Sequence, residues 1–264
     1  MPEFISTNIE NGVGRIRLNR PEKRNALKRA FIEELNDAVA QMEAEESLRV
    51  LLLEAEGKVF CAGMDLGEMQ ERASSPDGKS EWLKDSEVYC TLLSRLFTLP
   101  VPTVAVLSGP ALAGGVGMVL ACDIVIASDN VFLMLPEPMR GITAAMVTPL
   151  LVHRAGAGSA NYMLLSGERV NAGACLRMGI FHDVTAQEEL AARRDSLVDS
   201  ILTGSRSALA ITKKHVLRLS APSMLDMLKD SMTVSAEARE TDDAREGLAA
   251  FLEKRNPNWQ ENKG

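Results

Sequence analysis

The stretch Gly109-Pro110-Ala111-Leu112-Ala113-Gly114-Gly115-Val116-Gly117-Met118 joins an apolar, strand-like run at residues 103–107 to an apolar, helix-like run at residues 118–122. Glycine admits positive φ and lets the backbone approach a ligand closely. A helix entered through such a turn has first N–H groups that no intrahelical carbonyl satisfies, with the positive end of its macrodipole behind them. An anion, or an oxygen that gains charge during a reaction, can settle there.

The same construction recurs upstream. Val59-Phe60-Cys61-Ala62-Gly63-Met64-Asp65-Leu66 follows the apolar run at residues 50–53 and precedes another helix-like segment. Two backbone N–H groups meeting at one oxygen form an oxyanion hole, and each turn can supply one. Such a hole needs an acid or base close by. Glu137, in Leu135-Pro136-Glu137-Pro138-Met139, is the candidate, because two prolines fix its backbone and desolvation among apolar neighbours would raise its pKa. On spacing alone, a solvated loop glutamate is the default.

The 264-residue chain is 46% apolar, enough for a substantial core. Its net charge of −7, with Lys and Arg scattered, argues against a nucleic-acid partner, which needs clustered cations. A phosphorylated ligand needs only a few local ones. Cys61, Cys90, Cys122 and Cys175 show no C-x-x-C spacing, and only His153, His182 and His215 could join them. No metal site or disulfide framework is expected, and buried free thiols fit a reducing compartment. With no charged and then apolar N-terminal segment in view, the expected location is cytoplasmic. Residues 96–122 run 27 positions without a charge, long enough to span a bilayer. Pro100, Pro102, Pro110 and the glycines would break such a helix, so the stretch reads as a buried strand, loop and helix, with no membrane partner.

Along the chain, residues 3–20 predict two strands around the turn Asn11-Gly12. Residues 28–45 predict an amphipathic helix through Phe31, Leu35, Ala38 and Met42, and residues 50–53 a strand buried on both faces. Residues 67–80, with Ser74-Ser75-Pro76-Asp77-Gly78, have the composition of a mobile loop. Helical spacing returns at 82–97. Residues 123–128 and 132–135 read as strands, and 144–153 as a helix interrupted near Pro149. Beyond Gly158 the chain is mostly helical, through 172–178, 188–202, 207–219 and 241–253, the last capped by Thr241. No internal repeat or linker is visible, and the one boundary in composition is a change from mixed α/β to all-α near residue 200.

Together, Phe60-Cys61-Ala62-Gly63-Met64-Asp65-Leu66 and Gly114-Gly115-Val116-Gly117, followed by Ala121-Cys122-Asp123-Ile124, resemble the crotonase (enoyl-CoA hydratase/isomerase) superfamily. The likeness runs from Arg15-Ile16-Arg17-Leu18-Asn19-Arg20-Pro21 and Asn25-Ala26-Leu27 through Leu135-Pro136-Glu137 to Phe251-Leu252-Glu253-Lys254-Arg255, nearly the whole chain. It implies an α/β fold, a crotonase-like spiral of ββα units over residues 1–200. Residues 201–264 would be a C-terminal helical trimerisation segment of the same fold unit, giving a homotrimer or a homohexamer of two trimers. The implied substrate is an acyl-CoA thioester, with coenzyme A entering as part of it and no prosthetic group.

By the same resemblance, the N–H groups of Met64 and Gly114 form the oxyanion hole and Glu137 is the catalytic carboxylate. Arg24, Ala26 and Leu27 match the loop that contacts the nucleotide, and Ala62, Gly63, Asp65 and Leu66 flank the adenine and pantetheine path. Phe251 and Lys254 match C-terminal residues near the cofactor, sometimes across a subunit boundary. Taken alone, Arg24 and Lys254 read equally as solvated cations, and Phe251 as core or interface.

One position departs from the pattern. Family hydratases usually carry a second glutamate three residues after the glycine of the hole, and here that position is Gly117. A two-carboxylate mechanism cannot run there as usual. The leading expectation is hydration of an α,β-unsaturated acyl-CoA, with Glu137 as acid/base. A Δ3,Δ2-enoyl-CoA isomerase with Glu137 as sole proton shuttle is the alternative, and an acyl-CoA-binding homologue without turnover is a third.

Overall fold

Asn11 and Gly12 both take positive φ (51° and 81°), as a two-residue hairpin turn requires, and fold β1 (Ile5–Glu10) antiparallel onto β2 (Val13–Leu18). The computed structural model describes residues 3–73, 75 and 77–261. Helix α1 (Arg29–Ala44) buries Phe31, Leu35, Ala38 and Met42, the stripe its spacing predicts, and leads to β3 (Val50–Ala55). Next come α2 (Leu66–Ala73), α3 (Gly78–Thr98), β4 (Thr103–Leu107), the short β5 (Ala111–Leu112), α4 (Gly114–Ala121), β6 (Ile124–Ser128) and β7 (Phe132–Met134). A 3-10 turn at Glu137–Arg140 is followed by α5 (Val147–Ser166), β8 (Val170–Asn171), α6 (Ala172–Arg177) and β9 (Asp183–Thr185). The rest is helical: α7 (Leu190–Thr203), α8 (Arg206–Ser220), α9 (Met224–Ala238), α10 (Asp242–Leu252) and α11 (Asn258–Glu261). Thr241 caps α10 by accepting from the Ala244 N–H at 3.1 Å.

The main sheet has the order β1-β2-β3-β4-β6-β9 and is parallel from β2 onward, while β5, β7 and β8 form a small second sheet. Leu51, Leu53, Ala105 and Leu107 face the main core. Val50, Leu52, Val104 and Val106 face a smaller one closed by Leu190 and Val198 of α7. Successive strand side chains point to opposite faces, so a strand covered twice needs apolar residues at every position. That is why residues 50–53 and 104–107 carry no polar interruption, while Thr103 at the start of β4 donates its hydroxyl to Asp123 at 2.9 Å.

Two segments differ from the sequence expectation. Residues 67–80 are mostly helix, as the body of α2 and the start of α3, with Ser74 and Pro76 outside the described residues. Charge holds α2 in place: Arg72 pairs with Glu68 one turn back and with Asp85 of α3, which also takes Arg29 of α1. The helix expected at 144–153 begins at Val147 and continues to Ser166. Pro149 falls in its first turn, where a missing N–H has no intrahelical acceptor to lose, and the break comes at Gly156 (φ 74°, ψ 162°).

Residues 96–122 form the end of α3, then β4, β5 and α4, and no helix among the described residues is long and apolar enough to cross a membrane. The cysteines are free and buried. His182 Nδ1 accepts from the Val125 N–H at 3.0 Å, and His153 stands edge-on to Phe97, so both serve the framework.

Candidate active site

The loops that follow β3 and β4 meet at one junction. Asn25, fully buried, fixes the chain before α1: its Nδ2 donates to the carbonyls of Glu56 and Val59 (2.9 Å each), and its Oδ1 accepts from the Arg20 N–H (2.8 Å). Residues 24–27 thereby lie alongside 62–65. The Ala62 N–H donates to Arg24 O (3.0 Å), the Leu27 N–H to Gly63 O (2.8 Å) and the Asp65 N–H to Leu27 O (2.8 Å). Only alternate N–H groups of a strand face a given partner. The Met64 amide is left over, and among the described residues it has no hydrogen-bond partner.

Gly114 opens α4, and its N–H is likewise unpaired among the described residues, as helix starts leave it. Ala113 before it holds φ 50°, ψ −125°, a strained conformation for a residue with a Cβ, while its own N–H donates to Met134 O at 2.9 Å. The two turns touch only because glycine permits it. A Cβ on Gly63 would stand 2.5 Å from that of Ala113 and 3.3 Å from the Gly114 nitrogen, and one on Gly115 would stand 2.7 Å from Cys61 Cβ. Both spare amides therefore belong to one junction.

The junction opens on a cavity of about 650 Å³ whose wall includes Met64, Gly114, Tyr89 and Glu137. Glu137 begins the 3-10 turn, which α10 backs so tightly that a Cβ on Gly247 would lie 2.4 Å from the Arg140 carbonyl carbon. Its side chain is 7% exposed, and Oε2 is buried without a hydrogen-bond partner among the described residues. Burial pushes its pKa up to about 7, against the pull of its own backbone N–H and the Arg239 charge.

Sequence reasoning missed Tyr89. It reaches in from α3, fully shielded, and its hydroxyl donates to the Gly114 carbonyl. A Cβ on Gly117 would sit 2.2 Å from the same hydroxyl oxygen, so a phenol fills the space a side chain at 117 would need. Burial, with Cys61 and Glu137 nearby, raises the Tyr89 pKa well above its ordinary value. The phenol is thus neutral, its proton given to a carbonyl and an oxygen lone pair left over. At helical spacing Tyr89 reads as core, and only the fold sets it over Gly117.

Of the remaining candidates, Arg24, Ala26, Ala62, Asp65, Leu66 and Phe251 line the same cavity. Asp65 is already engaged, paired with Arg20 at 3.0 Å and accepting from the Gly67 N–H (3.1 Å) at the start of α2. Phe251 lies under the Arg140 guanidinium, 4.1 Å from ring centre to Cζ. Leu27 is buried in the core, Gly63 (φ 87°) shapes the junction, and Lys254 follows the end of α10. These three do not line the cavity. Cys61 donates to Asn25 O at 3.1 Å, and burial pushes its thiol up to about 12, the setting of a packed thiol and not of a nucleophile.

A family model described as enoyl-CoA hydratase/isomerase matches residues 8–262. The chain is 32% identical over 250 residues to the mitochondrial enoyl-CoA hydratase domain-containing protein 3 of Xenopus laevis, across 95% of this chain and 84% of that one. It is 31% identical over 265 residues to the 1,2-epoxyphenylacetyl-CoA isomerase of Escherichia coli, across 98% and 99% of the two. The crystal structure of an enoyl-CoA hydratase from Mycobacterium avium superposes with a TM-score of 0.86 at 28% identity, over 98% of this chain and 100% of that chain. With the match running nearly end to end and the folds superposing over almost all of both chains, this chain belongs to the enoyl-CoA hydratase/isomerase (crotonase) family and has its α/β fold.

Proposed function

We propose that the protein is an enoyl-CoA hydratase, adding water across the α,β double bond of an acyl-CoA thioester with Glu137 as its only acid/base. The observation behind this is one juxtaposition: a buried carboxyl with an unpartnered oxygen shares a cavity with two main-chain amides that lack acceptors. In this reading the thioester oxygen accepts from the Met64 and Gly114 N–H groups and gains charge as the enolate forms. Losing one such donor typically costs about 2.7–4 kcal/mol of transition-state stabilisation.

A carboxyl with a pKa near 7 is populated in both forms at neutral pH. As carboxylate, Glu137 takes a proton from water while the water oxygen bonds to the β carbon. As acid, it returns that proton to the α carbon of the enolate. Tyr89, neutral and with a free lone pair, would accept the second hydrogen of the water and hold it in place. The coenzyme A portion of the substrate would run along Arg24, Ala26, Ala62, Asp65 and Leu66. Leu27 and Gly63 would shape that strip from beneath, with Phe251 and Lys254 toward the C-terminal side. No prosthetic group is needed. Residues 201–264 would join subunits into a homotrimer or a pair of trimers.

One observation favours the isomerase reading. Tyr89 fills the place of a side chain at 117, and shuttling a proton between carbons of a 3-enoyl thioester needs a single carboxyl. Ultraviolet absorbance of the conjugated thioester separates the two, since hydration of a 2-enoyl substrate removes it and isomerisation of a 3-enoyl substrate creates it. Glu137→Gln is expected to slow either reaction by about 10²- to 10⁴-fold. Full activity of that variant would overturn the role given to Glu137, and tight thioester binding without turnover by the wild type would point to a non-catalytic homologue.

A further inference from the structure

Arg239 sits in the link between α9 and α10, 8% exposed, on the wall of the cavity that holds Glu137 and Tyr89. Its guanidinium makes no hydrogen bond or ion pair among the described residues. Ser235, one turn earlier on α9, is 3% exposed on the same wall, and its hydroxyl is also without a partner there. Other shielded arginines are matched. Arg20 pairs with Asp65, Arg29 with Glu81 and Asp85, and Arg72 with Glu68 and Asp85, while Arg154 donates to the carbonyls of Leu120, Cys122 and Asp123.

The carboxylates whose field reaches Arg239, Asp85 and Glu137, make no ion pair with it: Asp85 is taken by Arg29 and Arg72, Arg72 itself repels Arg239, and Glu137 Oε2 is without a hydrogen-bond partner among the described residues. Burying a guanidinium without a paired anion is costly, and an anion entering the cavity that this one faces would relieve that cost. A planar guanidinium matches a carboxylate with two parallel N–H donors, and the Ser235 hydroxyl adds a third.

We infer that Arg239, with Ser235, binds a carboxylate at the far end of the acyl group. The thioesters selected are then those of dicarboxylic acids, with one carboxyl joined to coenzyme A and the other free. The inference rests on the thioester reading above, because that reading brings an acyl chain into this cavity. The nucleotide phosphates are a different anion, assigned there to the side of the cavity that carries Arg24.

Binding of unreactive, saturated thioesters tests this independently of turnover. Calorimetric titration would compare succinyl-, glutaryl- and adipyl-CoA with their neutral isosteres 4-methylpentanoyl-, 5-methylhexanoyl- and 6-methylheptanoyl-CoA, with free coenzyme A as control. At least one carboxylated thioester is expected to bind about tenfold or more tightly than its isostere. That preference should vanish in Arg239→Met and survive in part in Arg239→Lys. Equal or weaker binding of the carboxylated partner at every length, or a preference that persists in Arg239→Met, overturns the inference. So does an Arg239→Met variant whose loss is the same for free coenzyme A. If Arg239→Met fails to fold, the wild-type comparison decides alone. Binding and turnover of neutral thioesters only would sink this inference and leave the proposed function standing, whereas failure of every thioester to bind would remove both.

Discussion

Gly117 and Tyr89 compete for one volume, and their fit is a property of the pair. Adding a methyl at 117 sets a carbon against a buried, rigid phenol oxygen, so Gly117→Ala is expected to cost about 1–3 kcal/mol by urea denaturation. Tyr89→Phe removes the nearest atom and should recover part of that loss in the double variant. No recovery would mean that the hydroxyl is not what limits the site.

Glu137 carries a pH signature that follows from its burial. Its folded pKa is raised from the ordinary 4.5 to about 7, so between those values the unfolded chain releases the proton first. Stability therefore falls as pH rises through this window and levels off above it. Glu137→Gln cannot ionise. The variant should match the wild type near pH 4 and exceed it by up to about 3 kcal/mol at pH 8, read from urea midpoints across the series. A gap that narrows as pH rises would contradict the burial seen here.

At the scale of elements, α2 forms part of the cavity wall through Leu66 and Met69. Its residues other than Gly67 are strong helix formers and Asp65 accepts from the Gly67 N–H at its start, but so short a helix is marginal alone, and tertiary charge holds it in place. Asp85→Asn would leave Arg29 and Arg72 facing a neutral amide, at a cost on the order of 3 kcal/mol for a shielded ion cluster with one member removed. Hydrogen exchange should show it first in α2, whose amides lose protection ahead of the main sheet. Uniform acceleration across the whole chain would argue that the cluster does not act locally.

The whole chain leaves apolar surface uncovered on its later helices. Leu165 of α5 is 77% exposed, and Ile211 and Leu219 of α8 are 68% and 69% exposed, while α8 buries none of its residues. Patches of this kind mark association surfaces, in keeping with the homotrimer or homohexamer proposed above. Light scattering after gel filtration is expected to give three or six times the chain mass, with Ile211→Asp shifting it toward the monomer. A monomeric wild type would rule out this use of the helices.

Residue order alone dictates what is local and periodic in this protein. The Asn11-Gly12 hairpin, the inward stripe of α1, the two-sided strands β3 and β4, and the two glycine turns all follow from backbone stereochemistry and side-chain period, which act between near neighbours. The spare Gly114 amide belongs to the same class, since a helix start leaves an N–H without an acceptor, whereas the Met64 amide is left over by the pairing of residues 62–65 with residues 24–27, far apart in sequence. Tertiary structure alone decides what those amides face. Packing sets Tyr89 over Gly117, commits Asp65 to Arg20, docks α2 on α3 through Arg72 and Asp85, and turns the charge of Arg239 onto the same cavity as Glu137. Excluded volume, desolvation and charge act through space and not along the chain, so residues distant in sequence settle the chemistry of the site.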